Sequence, residues 1–256
     1  MEKKREPLPC LVLENVSKNF GGLTAVQSVN LVVRPGERYV LIGPNGAGKT
    51  TLFNLISGEF QLNDGKIVYF GKDISRLPTY RRGAMGLART FQITNLFPNL
   101  TVLESVLLAC QALERTKFVM FRRISSYGRL AQKAMDLLKE GGVWEKRDEL
   151  IKHLSYGDQR QIEVLLALAG KPRLLLLDEP AAGLSQAETQ ALLLFLRKLD
   201  VSITVVMIEH DMDLAFSFAQ RIAVLHQGRL LAEGPSEEIK RNAVVQQVYL
   251  GAGPSS

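Results

Sequence analysis

The chain has 256 residues, 46% of them hydrophobic and 23% charged, with a net charge of +6. That length can bury a full core, and that balance is the ordinary globular one. Two cysteines, Cys10 and Cys110, build no disulfide framework and suit a reducing compartment. The modest positive charge suits a nucleotide, a nucleic acid or an anionic membrane surface and selects none of them. No apolar run approaches the roughly 20 residues that span a bilayer. Residues 1–9 are charged without an apolar core, unlike a secretory signal. The expectation is a soluble, cytoplasmic chain with a disordered tail over residues 1–10, one domain over 11–250 and a short tail over 251–256.

In chain order, residues 11–16 and 29–33 read as strands around a turn at Asn19-Phe20-Gly21-Gly22, with a second turn at Pro35-Gly36. Phe20 is either an aromatic that stacks on adenine from a sheet edge or a core residue at a hairpin tip. Residues 39–42 read as a buried strand and 50–56 as a helix. Between them lies Gly43-Pro44-Asn45-Gly46-Ala47-Gly48-Lys49-Thr50-Thr51, the spacing of a phosphate-binding loop. Its glycines let the backbone wrap an anion without a Cβ in the way, and the loop N–H groups and helix N-terminus then point at phosphate oxygens. Lys49 reaches the β- and γ-phosphates, and the Thr50 hydroxyl ligates Mg²⁺.

Gly58 ends that helix, and residues 65–70 resume strand character. From about residue 80 to 153 the chain turns mostly helical, with apolar residues at helical spacing over 100–113 and 129–139. Such an insertion implies a sub-domain, and Arg89-Thr90-Phe91-Gln92 stands at its entrance. Residues 114–128 interleave Arg115, Lys117, Arg122 and Arg123 with Phe118, Val119, Met120 and Phe121. They read first as a solvated loop with anchoring apolar side chains, second as a contact with a membrane partner or anionic headgroups.

Leu154-Ser155-Tyr156-Gly157-Asp158-Gln159-Arg160 opens a helix through residue 169, with Ser155 as its cap and Gly157 beside it on a second anion-friendly surface. Residues 173–180 follow. Four consecutive leucines without alternation predict a parallel strand buried on both faces. Asp178 and Glu179 stand at its carboxyl end, where open α/β sheets bind ligands. Asp178 suits Mg²⁺ through water, and Glu179 suits the general base that polarises an attacking water. Residues 203–208 form another buried strand, ending at His210, which is placed to meet a γ-phosphate. Residues 221–225 and 229–232 read as a hairpin around Gln227-Gly228, and Ser236 as the cap of a last helix with Glu237 and Glu238 in its first turn.

Together these motifs resemble an ATP-binding cassette over about residues 11–250. The carriers are the phosphate loop from Gly43 to Thr51, the Q-loop glutamine Gln92, the signature 154–159, the pair Asp178-Glu179 and the switch histidine His210. Runs 86–92, 154–160, 178–184 and 208–212 resemble most the ATPases of branched-chain amino acid uptake. The resemblance implies an α/β fold: a P-loop NTPase core with a mostly parallel sheet, an antiparallel β subdomain and an inserted helical subdomain near residues 80–153. It also implies ATP and Mg²⁺ as ligands, with Gln92 among the Mg²⁺ ligands and the catalytic groups. Two cassettes would sandwich two ATP molecules, with Ser155 and Gly157 completing the γ-phosphate site of the opposite subunit. The partners implied are a second ATPase subunit, self or paralogue, and integral membrane permease subunits. They would hold the chain peripherally on the inner face of the plasma membrane.

Three departures stand out: Tyr156 where the signature commonly has glycine, Asp158 where it has Gln or Glu, and Ser185 where the loop after Glu179 usually ends in Asp. The alternatives to an amino acid importer are a urea or amide importer, a lipid-export ATPase, and a soluble cassette acting on nucleic acid or ribosomes. One cassette without a fused copy or a coiled-coil insertion speaks against the last, so no nucleic acid partner is expected.

Overall fold

The computed structural model describes residues 8–90, 96–112 and 128–250. Its strands are β1 (Leu11–Phe20), β2 (Leu23–Val33), β3 (Arg38–Ile42), β4 (Asp64–Tyr69), β5 (Lys72–Asp73), β6 (Leu87–Arg89), β7 (Leu174–Asp178), β8 (Thr204–Ile208), β9 (Arg221–His226) and β10 (Arg229–Pro235). Its α-helices are α1 (Lys49–Ser57), α2 (Thr79–Ala84), α3 (Val102–Ala112), α4 (Gly128–Glu140), α5 (Tyr156–Leu168), α6 (Gln186–Arg197), α7 (Met212–Phe218), α8 (Ser236–Lys240) and α9 (Ala243–Leu250). Among the described residues no helix is long and apolar enough to cross a membrane.

One compact unit takes in the chain up to Leu87, the segment Arg173–Glu179 and the residues from Asp200 onward. It holds a four-stranded sheet in the order β2-β1-β4-β5 and a six-stranded sheet in the order β10-β9-β3-β8-β7-β6, in which β6 leads out of the unit. The first sheet is antiparallel in its β1–β2, β1–β4 and β4–β5 pairs. In β2, Val29, Leu31 and Val33 are buried while Ser28, Asn30 and Val32 alternate to solvent, as a pleated strand with one covered face requires. In the second sheet β3–β8, β3–β9 and β7–β8 are parallel, and the β9–β10 hairpin is antiparallel. Leu174 to Leu177 are fully buried, as their lack of alternation predicts. Each buried leucine contributes about 1.5–3 kcal/mol.

The parallel register positions the chemistry. Leu41 of β3 and Asp178 of β7 both lie opposite Ile208 of β8. The loops leaving β3, β7 and β8 therefore emerge on one carboxyl edge of the sheet. Helix α1, which leaves β3 through the glycine loop, is also held at its far end. Gly58 caps it in the left-handed region at φ 87° and donates its N–H to the Asn54 carbonyl. Arg82, fully buried, donates from its guanidinium to the carbonyls of Leu55 (2.6 Å), Ile56 (2.8 Å), Leu77 (2.8 Å) and Ser75 (3.2 Å).

The second compact unit comprises Ala88–Pro172 and Pro180–Leu199. In it α3 packs on α4 and α5, and α5 on α6. A reciprocal pair starts α3: the Thr101 N–H donates to the Glu104 carboxylate, and the Glu104 N–H donates to the Thr101 hydroxyl.

Several local expectations shift. β1 runs to Phe20 because Lys18, Asn19 and Phe20 pair with Val26, Thr24 and Leu23, a polar stretch whose strand character shows only in its ladder. The tight turn shrinks to Gly21-Gly22. Cys10, within the expected tail, is buried and donates its N–H to the Val33 carbonyl. Ser236 is not a cap: it is the first residue of α8, and its hydroxyl donates instead to the Phe216 carbonyl at 3.3 Å. The segment 114–128 lies outside the described residues except for Gly128.

Candidate active site

At the end of β3 the chain turns through Gly43, Pro44, Asn45, Gly46, Ala47 and Gly48 into α1. A Cβ on Gly43 would lie 2.2 Å from the Leu225 carbonyl oxygen, and one on Gly48 would lie 2.3 Å from that of Ala25. Gly48 caps the helix at φ 99° with no side-chain hydrogen bond, and no acidic residue occupies the first turn of α1. The helix thus brings no neutralising side chain of its own to its positive end, which favours an anion. Thr50 is exposed at that end, and Thr51 is half-buried.

Lys49 folds back into the loop. Its Nζ donates to the Gly43 carbonyl at 2.7 Å and to the Pro44 carbonyl at 3.1 Å. Burial pushes its pKa below the ordinary 10.5, while the nearby carboxylates of Glu179 and Asp178 push it back up. Asp178 is 2% exposed. Glu179 takes a left-handed backbone, φ 46°, unusual for a side chain of this kind. Its N–H donates to the Ile208 carbonyl, and the Glu209 N–H to that of Leu41, tying the three strand ends together. His210 Nδ1 stands 3.8 Å from the Glu179 carboxylate, with over half of the histidine side chain exposed.

The residues Gly43 to Thr51, Asp178, Glu179 and His210 therefore share one edge of one unit. Phe20 belongs to the same unit. It packs edge-on against Phe60 at 5.3 Å between ring centres, and the Lys18 ammonium lies 5.0 Å from its ring centre. Gln92 lies outside the described residues.

The loop and the helix end fit a polyphosphate. Among the described residues no cluster of three or more His, Cys, Asp or Glu could cage a metal. Mg²⁺ at phosphate sites needs none: it is held by one or two protein oxygens plus the phosphates. One buried carboxylate, Asp178, and one exposed hydroxyl, Thr50, fit that donor set.

Ser155 and Gly157 stand in the second unit. Ser155 is exposed and caps α5, its hydroxyl accepting from the Asp158 N–H at 3.1 Å and donating to the Asp158 carboxylate at 2.9 Å. Lys146 pairs with the same carboxylate. The Asp158 departure is thus built into the cap. Tyr156 lies against Gly183, where an added Cβ would come within 3.2 Å of its ring, and under the Arg160 guanidinium. Ser185, the third departure, caps α6 in a capping box with Glu188. Glu188 also accepts the Gly157 N–H at 3.1 Å, a contact the sequence reading missed. The spacing Ser185-x-x-Glu188 ahead of an apolar run was its visible half.

The family description "ABC transporter" matches residues 26–182, and "Branched-chain amino acid ATP-binding cassette transporter" matches residues 229–254. The Escherichia coli K12 protein named high-affinity branched-chain amino acid transport ATP-binding protein LivG is 39% identical over 253 residues, covering 95% of this chain and 98% of its own. The corresponding Pseudomonas aeruginosa protein BraF is 38% identical over 250 residues with the same coverage. The ADP conformation of MJ1267, an ATP-binding cassette of an ABC transporter, superposes with a TM-score of 0.85 at 29% identity, covering 95% of this chain and 99% of that one. This chain belongs to the ABC transporter family, as one of its ATP-binding ATPase cassettes.

Proposed function

We propose that this chain hydrolyses ATP to energise an importer of branched-chain or other amino acids. The observation that carries the chemistry is Lys49, drawn into a loop at a helix N-terminus on the same sheet edge as Asp178 and Glu179. The match of residues 229–254 and the likeness to LivG and BraF support the substrate class.

Gly43 to Thr51 hold the phosphates, with Lys49 exchanging its carbonyl partners for β- and γ-phosphate oxygens. Phe20 stacks on adenine. Thr50, Asp178 and Gln92 hold Mg²⁺, which supplies charge neutralisation at the phosphates when bound. Glu179 accepts the proton of the attacking water, and His210, whose Nδ1 stands 3.8 Å from the Glu179 carboxylate, orients the γ-phosphate. Ser155 and Gly157 meet the nucleotide held by a second cassette, a copy of this chain or a paralogue. Membrane permease subunits hold the pair at the cytoplasmic face and carry the substrate. Gln92 and the inserted helices relay the opening and closing.

Glu179→Gln tests the assignment. The amide keeps the shape but takes no proton, so ATP binding should persist while turnover falls about 10²–10⁴-fold. Normal turnover in the purified variant would remove Glu179 from the mechanism.

A further inference from the structure

The two helix N-termini that the proposed mechanism uses differ in their own side chains. At α1 the first turn carries no acid and the cap makes no side-chain bond. At α5 the anion positions are already filled. The Glu188 carboxylate takes the Gly157 N–H at 3.1 Å, and with its other oxygen takes the Ser185 N–H at 2.9 Å and the Ser185 hydroxyl at 2.7 Å. The Ser155 hydroxyl donates to the Asp158 carboxylate at 2.9 Å and also helps to hold Glu188 in its charged form. All these groups belong to one compact unit.

The geometry points to Glu188 as a positioning residue that latches the N-terminus of α5: its carboxylate occupies the Gly157 N–H and must leave before a nucleotide phosphate can take that donor. The inference rests on the reading of Ser155 and Gly157 as a phosphate site for a second cassette.

The chemistry is that of two anions competing for one donor. An N–H offers a single proton, and a phosphate oxygen brought to Gly157 would stand at hydrogen-bond distance from the carboxylate oxygen already there, with repulsion on top of the lost bond. The carboxylate is well held in its charged form. Its pKa is lowered first by the Ser185 hydroxyl and backbone N–H, then by the Gly157 N–H. Release is nevertheless open to it, because Ser185 alone can keep one oxygen through the capping box while the other swings away. Gly157 makes the contact possible: a Cβ there would lie 2.7–2.9 Å from Glu188 atoms and would push that side chain off.

The latch makes a two-state element whose closed form lowers apparent ATP affinity without touching the bond-breaking groups. Glu188→Gln keeps the capping-box pattern and removes the charge, so a phosphate displaces it more easily. Glu188→Asp keeps the charge but, one methylene shorter, cannot span from α6 to Gly157. Each variant should be purified in the transporter with its membrane subunits, and ATPase activity measured against ATP concentration together with melting temperature. The expected result for both is a KM for ATP lower by about tenfold, with kcat within about twofold of the parent. An unchanged or raised KM in either variant whose melting temperature matches the parent overturns the latch. If one variant melts low, the other decides. A purely structural tie would lower melting temperature and kcat and would not lower KM. Failure of the underlying reading is separable: Ser155→Arg with full activity would mean that α5 meets no nucleotide, whatever Glu188 does.

Discussion

Lys49 is the residue on which the proposed nucleotide binding turns, and its surroundings make a pH prediction. Its ammonium is drawn into the loop by two carbonyls and partly desolvated, so its pKa lies below the ordinary lysine value of 10.5. On the proposed reading a polyphosphate would bind the charged form and raise the pKa again on binding. By linkage, affinity is full at neutral pH and falls as pH rises through the free-state pKa, earlier than an ordinary lysine would dictate. Titration of the chain with a fluorescent ATP analogue at increasing pH should show this fall. Lys49→Ala should be weak at every pH and lack it. A parent affinity that stays flat up to 10.5 would mean that Lys49 does not bind the anion. The motif spacing made Lys49 readable from the chain, since the two carbonyls it donates to lie within six residues. Glu179 was readable as an acid beside a strand end, but its left-handed backbone was not, nor were its N–H bond to the Ile208 carbonyl and its 3.8 Å approach to His210, which involve a segment distant in the sequence.

At the scale of elements, α1 is held at both ends, and the two ends differ in how they are written. The glycine loop is contiguous and legible. Arg82 is not: it reaches carbonyls of residues 55, 56, 75 and 77, and nothing distinguishes it in the sequence from the exposed Arg81 beside it. A guanidinium fork at the carbonyl end of a helix satisfies groups that would otherwise be buried unpaired, and its charge complements the helix dipole. Arg82→Ala should cost about 3 kcal/mol or more, read as a fall in Tm of roughly 6–12 °C. Arg82→Lys should recover little, because one ammonium cannot copy the fork. A lysine variant that melts with the parent would show that charge alone suffices. The same contrast runs through the caps. Ser155 and Ser185 cap their helices from the position their sequence offers, whereas Ser236 turns to the Phe216 carbonyl, which only packing brought near.

For the whole molecule, the strongest test concerns the second cassette. If Ser155 meets a nucleotide held by the partner cassette, Ser155→Arg should leave ATP affinity of the single chain intact and abolish activity in the assembled transporter. As a cap alone, its loss would cost about 0.5–2 kcal/mol and lower activity only in step with melting. Melting temperature, single-chain affinity and transporter ATPase activity, measured together, separate these outcomes. What the sequence by itself determined was a set of features each carried on a short stretch: the glycine loop between β3 and α1, the doubly buried strand of leucines, the acids at its end, the cap of α5. Periodicity and motif spacing are local, so few residues suffice to state them. Only the tertiary structure decided the strand order β10-β9-β3-β8-β7-β6, which sets Leu41 and Asp178 opposite the same Ile208, and the bonds of Arg82 and of Glu188 to Gly157. Those depend on which distant segments share a ladder or a packed face. Such partners are selected by the burial of whole surfaces, which no local pattern records.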